Sequence, residues 1–298
     1  MTKFEQREVD GPNNVGLFAL EDITKDSIIL RETPFYSFSV ENMMHYMTNE
    51  NPTGNNRLDA EIRDLQKLIR KANKKCKGSS SSFNQEYPPD TRILLDRMVA
   101  IITEIGFESE SRDVQEKWLA LVDAHQDVRK DSPVGIFGLR SDKGKRMNGE
   151  IAYCRGFDKQ KERYIVECKR LSNTNDEKIL LKKENLKTVS GVFRSNSFQE
   201  GLFETRCRLN HACEPNTKSC TIPEYNELLG KTLVPVHPKE CITIAQEDIK
   251  AGEQLTSSYL FVGAGQNVDI RREELREKYR FECQCKTCIN EERAWNYH

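Results

Sequence analysis

The stretch YRFECQCKTC, residues 279–288, places three cysteines within six positions. Disulfides between Cys283, Cys285 and Cys288 would close very short loops, and such bridges are strained. Zinc takes four ligands in a tetrahedron, and a short irregular segment can supply three of them as thiolates. The spacing therefore predicts a metal site, and its fourth ligand has to come from elsewhere in the chain.

Candidates for this fourth ligand lie in or beside the stretch RLNHACEPN, residues 208–216. They are Cys207, Cys213 and Cys220, with His298 as a weaker alternative. Spacing alone does not choose among them, and a lone histidine such as His211 is more often structural than functional. The cysteines that stand alone are predicted to be small core residues; these are Cys76, Cys154, Cys168, Cys220 and Cys241.

Composition excludes several classes of protein. The 298 residues suffice for about two ordinary domains, or for one core with a large insertion. A net charge of -1 gives no general attraction to nucleic acid, which is not expected as the main ligand. The chain has neither an apolar signal segment nor a run near the roughly 18 apolar residues that cross a bilayer. We expect an intracellular protein of the nucleus, the cytoplasm or both, without membrane association, whose ten cysteines are mostly reduced.

The pattern of apolar residues changes along the chain. Residues 14–38 alternate in a way that predicts two short strands joined near Asp26. Helical spacing then predicts a mostly basic helix over 57–77, followed by helices around 94–105 and 114–122. The basic helix is a possible docking face for nucleic acid or an acidic protein, although a solvated helix surface is the more common reason for such charges.

Residues 133–190 favour short twisted strands, which pack naturally as a small SH3-like barrel. Four aromatic residues in this region supply the material for a cage that binds methylated lysine, but such rings more often fill a barrel core. They are Phe137, Tyr153, Phe157 and Tyr164. Beyond residue 191, short strands alternate with one helix over VDIRREELREKYR, so the fold class is predicted to be α+β.

Five stretches, in order, carry a family resemblance: NVGLFALEDI (14–23), RSNSF (194–198), RLNHACEPN (208–216), AGEQLTSSY (251–259) and YRFECQCKTC (279–288). Together they resemble the SET-domain protein lysine methyltransferases, most closely the SET and MYND (SMYD) branch. The resemblance covers about residues 11–35 and 191–289. We expect the MYND zinc finger and the C-terminal helical domain of that branch to be missing, because few cysteines lie between residues 36 and 190 and only ten residues follow Cys288.

The resemblance implies a β-rich SET fold of pseudoknotted small sheets with a post-SET zinc site. We divide the chain accordingly into an N-terminal SET part (1–40), a helical insertion (41–132), a small Tudor- or SH3-like barrel (133–190), a C-terminal SET core (191–262) and a post-SET zinc-binding segment (263–298). Carried onto this sequence, Cys213 is the fourth ligand of a single zinc held with Cys283, Cys285 and Cys288. All four positions are then filled, so the metal is structural.

The resemblance also implies S-adenosylmethionine as cofactor. The chain lacks the G-x-G-x-x-G motif, so a doubly wound methyltransferase is excluded. The implied cofactor-binding residues are Asn13, Asn14, Gly16, Asn196, Asn210, His211, Tyr259 and Phe281, with the last covering the adenine. Ala212 stands where serine is usual, and Asn14 where glycine often begins the cofactor loop.

Tyr259 matches the catalytic tyrosine of the family, whereas outside this motif it would be an ordinary strand tyrosine. The implied function is methylation of a lysine on a histone or another protein, by a monomer. Ser257 replaces an aromatic residue that limits methyl number in some SET enzymes, so the degree of methylation stays open. The alternatives are a catalytically silent SET scaffold, a module that binds methyl-lysine or another partner, and a nucleic-acid module on the basic helix.

Overall fold

A computed structural model describes residues 3–9, 15–37, 45–46, 48–49, 53–76, 89–168, 178–260 and 266–295. Three residues named above, Asn13, Asn14 and His298, lie outside these ranges. The chain divides into two compact units, Met1–Ser37 with Arg194–His298, and Phe38–Phe193. The division into five segments stays a prediction.

The strands are short and are numbered along the chain. They are β1 (Phe4–Glu8), β2 (Val15–Ala19), β3 (Ile28–Glu32), β4 (Pro133–Ile136), β5 (Ile151–Asp158), β6 (Arg163–Glu167), β7 (Lys178–Leu181), β8 (Leu186–Thr188), β9 (Asn210–His211), β10 (Thr217–Thr221), β11 (Cys241–Ala245) and β12 (Gln254–Ser257).

The α-helices of the described residues are α1 (Asn56–Cys76), α2 (Pro89–Ser109), α3 (Arg112–Ala120), α4 (Asp142–Lys145), α5 (Val189–Asn196), α6 (Ile222–Leu229), α7 (Val268–Tyr279) and α8 (Lys286–Trp295). The helices predicted by apolar spacing are confirmed. Their ends follow from local chemistry: the Ser111 side chain caps α3, and Thr221 with Glu224 forms a capping box at α6. Among the described residues, no helix is long and apolar enough to span a membrane.

In the unit that contains both chain ends, one sheet has the strand order β1-β2-β12-β9 and a second has the order β10-β11-β3. The two strands predicted between residues 14 and 38 are confirmed, with Asp26 at a positive φ of 63° between them. They do not pair with each other, however. β2 pairs with β1 and β12, whereas β3 pairs with β11, because the chain crosses from one sheet to the other.

β9 and β12 form a parallel pair that is only two residues long. It aligns Thr256 with Asn210 and Ser257 with His211. This pairing brings the AGEQLTSSY and RLNHACEPN stretches side by side, although residues 217–250 lie between them in sequence. The short pair therefore positions the candidate site.

The unit Phe38–Phe193 contains a helical part and a sheet. α1 packs on α2 through Leu58, Ile62, Leu65, Ile101 and Ile105. The charges on α1 are in part neutralised, since Arg57 pairs with Glu61 and Glu104, and Lys67 pairs with Asp64. Five strands form an antiparallel sheet with the order β7-β6-β5-β4-β8, in the range where a small barrel is predicted.

The four aromatic residues of the predicted cage have different neighbours. The Phe137 ring lies under the Lys187 ammonium, at 5.1 Å, and the Arg155 guanidinium lies 5.4 Å from the Tyr153 ring. Phe157 and Tyr164 contact each other, with ring centroids 4.9 Å apart. Two of the four rings therefore already face cations of the chain itself.

Four of the five isolated cysteines behave as predicted, and the side chain of Cys76 lies outside the described residues. Cys154, Cys168, Cys220 and Cys241 are all buried. Cys154 and Cys168 belong to the core of the five-stranded sheet, and Cys220 packs in the core around β10 and β11.

Candidate active site and metal centre

Tyr259 is held at both ends by hydrogen bonds. Its backbone N–H donates to His211 Nδ1 at 3.0 Å, and its hydroxyl donates to the backbone carbonyl of Leu209 at 2.7 Å. β12 ends at Ser257, so Tyr259 lies just beyond the strand rather than within it. The backbone turn after β12 therefore places the phenol beside the β9 segment.

The environment of Tyr259 keeps its phenol neutral. Burial raises the pKa of Tyr259 well above the usual value. Its ring packs against Tyr279, with centroids 4.8 Å apart, and against Phe281 at 6.3 Å. Tyr279 is not among the predicted site residues. Its position could have indicated a role, because it is an aromatic residue two positions before Phe281 in the same motif.

His211 connects Tyr259 to the cysteines. Because a backbone N–H can only donate, Nδ1 of His211 must accept, and the neutral ring then carries its hydrogen on Nε2. That nitrogen lies 3.5 Å from Cys213 Sγ. Burial, helped by the positive charge of Arg271, lowers the pKa of His211 to about 4. The ring is therefore neutral near pH 7 and directs an N–H at the sulfur.

A cavity of about 340 Å³ opens beside the Tyr259 ring. It is lined by Ser195, Asn196, Ser197, Phe198, Gln199, Cys207, Ser258, Tyr259, Leu260 and Tyr279. The predicted residue Asn196 is buried in this wall, and its backbone carbonyl accepts a hydrogen bond from the Cys207 thiol at 3.1 Å. Burial raises the pKa of Cys207 to about 12, so this sulfur stays a thiol.

Gly16 lies against the side chains of Gln254 and Asn210, which leave little space for a larger residue. A methyl group on Gly16 would overlap Nε2 of Gln254 and would lie 3.1 Å from Nδ2 of Asn210. The Gln254 Nε2 and Ser257 Oγ atoms are buried without a hydrogen-bond partner among the described residues. Such atoms favour a polar ligand that satisfies them. Gln254 is not among the predicted residues, although it lies within the AGEQLTSSY stretch, from which only Tyr259 is assigned a role.

The four predicted metal ligands come together. The sulfur atoms of Cys213, Cys283, Cys285 and Cys288 all lie within 4.8 Å of one another. Cys213 Sγ is 3.4 Å from Cys288 Sγ and 4.0 Å from Cys283 Sγ. Zn–S bonds of about 2.3 Å in a tetrahedron require sulfur separations of roughly 3.8 Å. The group therefore fits one tetrahedral zinc, and its members do not include Cys207 or Cys220.

The predicted metal ligands and the aromatic residues form one cluster. Cys213, Cys283 and Cys288 pack with Leu260 and Leu275, and Tyr259, Tyr279 and Phe281 pack against them. Phe281 also lies beside the His211 ring, with centroids 6.1 Å apart. The stretch that carries the cysteines therefore also supplies the wall of the candidate active site.

Comparison with known proteins decides the family. The family model described as SET domain matches residues 14–260, most of the chain. The chain belongs to the SET-domain family.

Relatives within the SET family are named as methyltransferases. Histone-lysine N-methyltransferase SET5 of Meyerozyma guilliermondii is 32% identical over 108 residues, which are 36% of this chain and 20% of that protein. SET5 of Scheffersomyces stipitis is 34% identical over 100 residues, 34% of this chain and 18% of that protein. Human protein-lysine N-trimethyltransferase SMYD5 is 34% identical over 109 residues, 36% of this chain and 23% of that protein. The match thus spans only about a fifth of the length of each relative.

Proposed function

We propose that this SET protein is an S-adenosylmethionine-dependent protein-lysine N-methyltransferase. The observation that carries the proposal is the placement of Tyr259, whose neutral hydroxyl is fixed by the Leu209 carbonyl at the edge of a cavity. SET membership and the names of the relatives support the same activity.

The residues around Gly16 fit the cofactor. S-adenosylmethionine, when bound, supplies a methyl group on a sulfonium cation. Gly16 lets a ligand approach the backbone closely. Gln254 Nε2 and Ser257 Oγ, which have no partner within the described part of the chain, could hydrogen-bond it. Asn196 and Asn210 would hold its polar groups, and Phe281 would cover the flat adenine. Both ring nitrogens of His211 already have partners, so His211 stays a predicted contact. Asn13 and Asn14 stay predicted contacts.

Tyr259 would orient the reacting amine rather than deprotonate it. Its hydrogen is committed to Leu209, which leaves the oxygen lone pairs free to accept from an amine. A lysine amine has an ordinary pKa near 10.4, so it must lose its proton before it attacks. Surroundings such as Tyr279 and Leu260 disfavour the ammonium form and lower that pKa. The protein would then promote methyl transfer chiefly by aligning the lysine amine with the methyl group and by excluding water.

The four cysteines would hold a single structural zinc. With four protein ligands the metal has no open position, so it cannot activate water or substrate. It would instead fix Phe281 and Tyr279 against Tyr259, because these rings stand immediately before Cys283 in sequence. A chain without zinc would therefore lose the wall of the site.

The names of the relatives support a protein substrate. SET5 is named for histone lysine and human SMYD5 for protein lysine, and we propose a lysine of a histone or another protein for this chain. For a histone substrate we propose that the protein acts in the nucleus, and for a substrate outside chromatin that it acts in the cytoplasm. The enzyme is proposed to act as a monomer.

The test is methyl transfer by the purified full chain. Labelled S-adenosylmethionine with histones and a cell extract should yield labelled protein, and Tyr259→Phe should lower the rate by about 100-fold while cofactor binding persists. Tyr225→Phe is the matched control, because Tyr225 is a buried tyrosine in the core beside β10 and should not affect the rate. A wild-type protein that binds the cofactor yet labels nothing would favour the silent scaffold, and full activity in Tyr259→Phe would refute the role of the phenol.

A further inference from the structure

Arg271, on α7, is the most deeply buried cation of the described chain, with 0% of its surface exposed. Its guanidinium contacts two cysteine sulfurs directly. Nε donates to Cys213 Sγ at 3.3 Å and Nη2 to Cys288 Sγ at 3.5 Å. The remaining donors meet the Gln266 carbonyl and, at 3.0 Å, the Glu291 carboxylate.

A wholly buried guanidinium is costly unless negative charge surrounds it. Glu291 is the carboxylate that Arg271 contacts, and its side chain is 36% exposed, so water screens part of its charge. The other partners of Arg271 among the described hydrogen bonds are the neutral Gln266 carbonyl and the two sulfurs. Neutral thiols would leave the cation poorly compensated, whereas thiolates accept strong, charge-assisted hydrogen bonds.

The metal centre would in turn need a cation. One zinc ion with four thiolates has a net charge of about −2, and the group is largely buried. Arg271 brings a positive charge to two of the four sulfurs. Nε2 of His211 is a second donor to Cys213, so within the described residues both hydrogen bonds to this sulfur from outside the cysteine group come from N–H groups.

We propose that Arg271 is the countercharge of the metal centre, stabilising the thiolates of Cys213 and Cys288 and thereby the retention of zinc. The inference rests on the proposed zinc assignment, but not on methyl transfer. Arg271 is a positioning residue: it orients two ligand sulfurs through hydrogen bonds and does not itself bind the metal. Hydrogen bonds from outside the ligand set commonly tune a metal site in this way.

Arg272 offers a matched control on the same helix. It is buried and has the same side chain, but its guanidinium donates to the Cys283 backbone carbonyl at 3.2 Å and to Glu292 at 3.0 Å. Arg272 has no sulfur contact among the described hydrogen bonds. Removing Arg272 therefore reports the cost of losing a buried arginine near the cysteines, without removing a hydrogen bond to a sulfur.

The experiment compares Arg271→Gln with Arg272→Gln in the full chain purified with zinc. Zinc content is measured first, and the metal is then titrated out with a chromophoric chelator. Arg271→Gln should bind zinc about 10- to 100-fold more weakly than wild type. Arg272→Gln should stay close to wild type. A cobalt-substituted sample should show altered thiolate-to-cobalt absorption in Arg271→Gln alone.

Equal zinc retention in the two variants would overturn the proposal, and so would a wild-type protein that takes up no zinc. If Arg271→Gln does not fold, zinc retention is compared between Arg271→Lys and Arg272→Lys instead. Lysine keeps the charge but not the forked donors, so Arg271→Lys should release zinc more readily than Arg272→Lys. Methyl transfer is measured separately on wild type, so a failure of the countercharge and a failure of the proposed activity give different results.

Discussion

The hydroxyl of Tyr259 donates a 2.7 Å hydrogen bond to the backbone carbonyl of Leu209, the residue immediately before the Asn210-His211 pair. The same tyrosine donates its backbone N–H to His211. One short chain segment thus fixes both ends of Tyr259. Because the phenol hydrogen is already committed, this tyrosine is suited to orient a nucleophile and not to accept its proton.

The first prediction concerns pH. Burial raises the pKa of Tyr259 above its ordinary value near 10, so the phenol stays neutral throughout the neutral and mildly alkaline range. Methyl transfer at subsaturating substrate should therefore rise with pH as lysine loses its proton, and should show no descending limb between pH 7 and about pH 9.5. A fall in that range, absent from stability measurements at the same pH, would contradict this environment for Tyr259.

The second prediction concerns the fourth ligand. Cys213→Ser should lower zinc content and S-adenosylmethionine affinity together, because the proposed zinc would link this residue to the segment that carries Phe281. Changes outside the ligand set already cost about 10- to 100-fold in metal affinity, and a lost ligand should cost more. Elemental analysis and calorimetry measure the two quantities. Cys220→Ser removes another buried thiol and should leave zinc content unchanged; loss of zinc in that variant would point to general unfolding.

The third prediction concerns the glycine beside the cofactor residues. Gly16→Ala should weaken S-adenosylmethionine binding and destabilise the fold, because the new methyl group would overlap the Gln254 amide. Combining it with Gln254→Ala removes the overlap, so the double variant should regain thermal stability. Cofactor binding should remain weak, since the donor is lost. An additive loss of stability in the double variant would show that the two side chains do not compete for space.

The fourth prediction concerns the helical part. The side chain of Glu104 is 3% exposed and pairs with both Arg57 and Arg129. Glu104→Gln should lower the free energy of unfolding by about 3 kcal/mol, the lower end of the range for a broken buried pair, because both arginines retain partial solvent exposure. Denaturation in urea measures the change. Glu116→Gln, at a half-exposed residue paired with Arg112, should cost under about 0.5 kcal/mol.

Much of the local structure was predictable from the sequence. Apolar residues at helical spacing predicted α1, α2 and α3, since burial of one helix face requires that spacing. The family motifs predicted which distant cysteine joins the C-terminal group, and the structure brings Cys213 to it. Spacing alone left Cys207 and Cys220 open, because the distance between residues far apart in sequence depends on the path of the chain and not on its local pattern.

Other features have no local signal. β2 and β3 are consecutive in sequence, yet they belong to different sheets. The alternation of apolar residues predicts a strand but not the distant strand with which it pairs. Arg271 lies in a strongly charged helix that suggests a solvated face. Its burial follows from the sulfurs packed against it, which no pattern within α7 reveals. Gln254 is inconspicuous for a similar reason: its importance depends on Gly16 and Asn210 across the sheet.

The separation of the four cysteines along the chain also sets an order of assembly. Three of them lie within six residues, whereas Cys213 is 70 residues from Cys283. A nascent C-terminal segment can capture an ion with three sulfurs while the rest of the chain is unfolded, because those ligands close only short loops. The fourth bond waits until the two-residue pair of β9 and β12 has formed. Under the zinc assignment, the metal would therefore have three ligands early in folding and would gain the fourth only once β9 and β12 have paired.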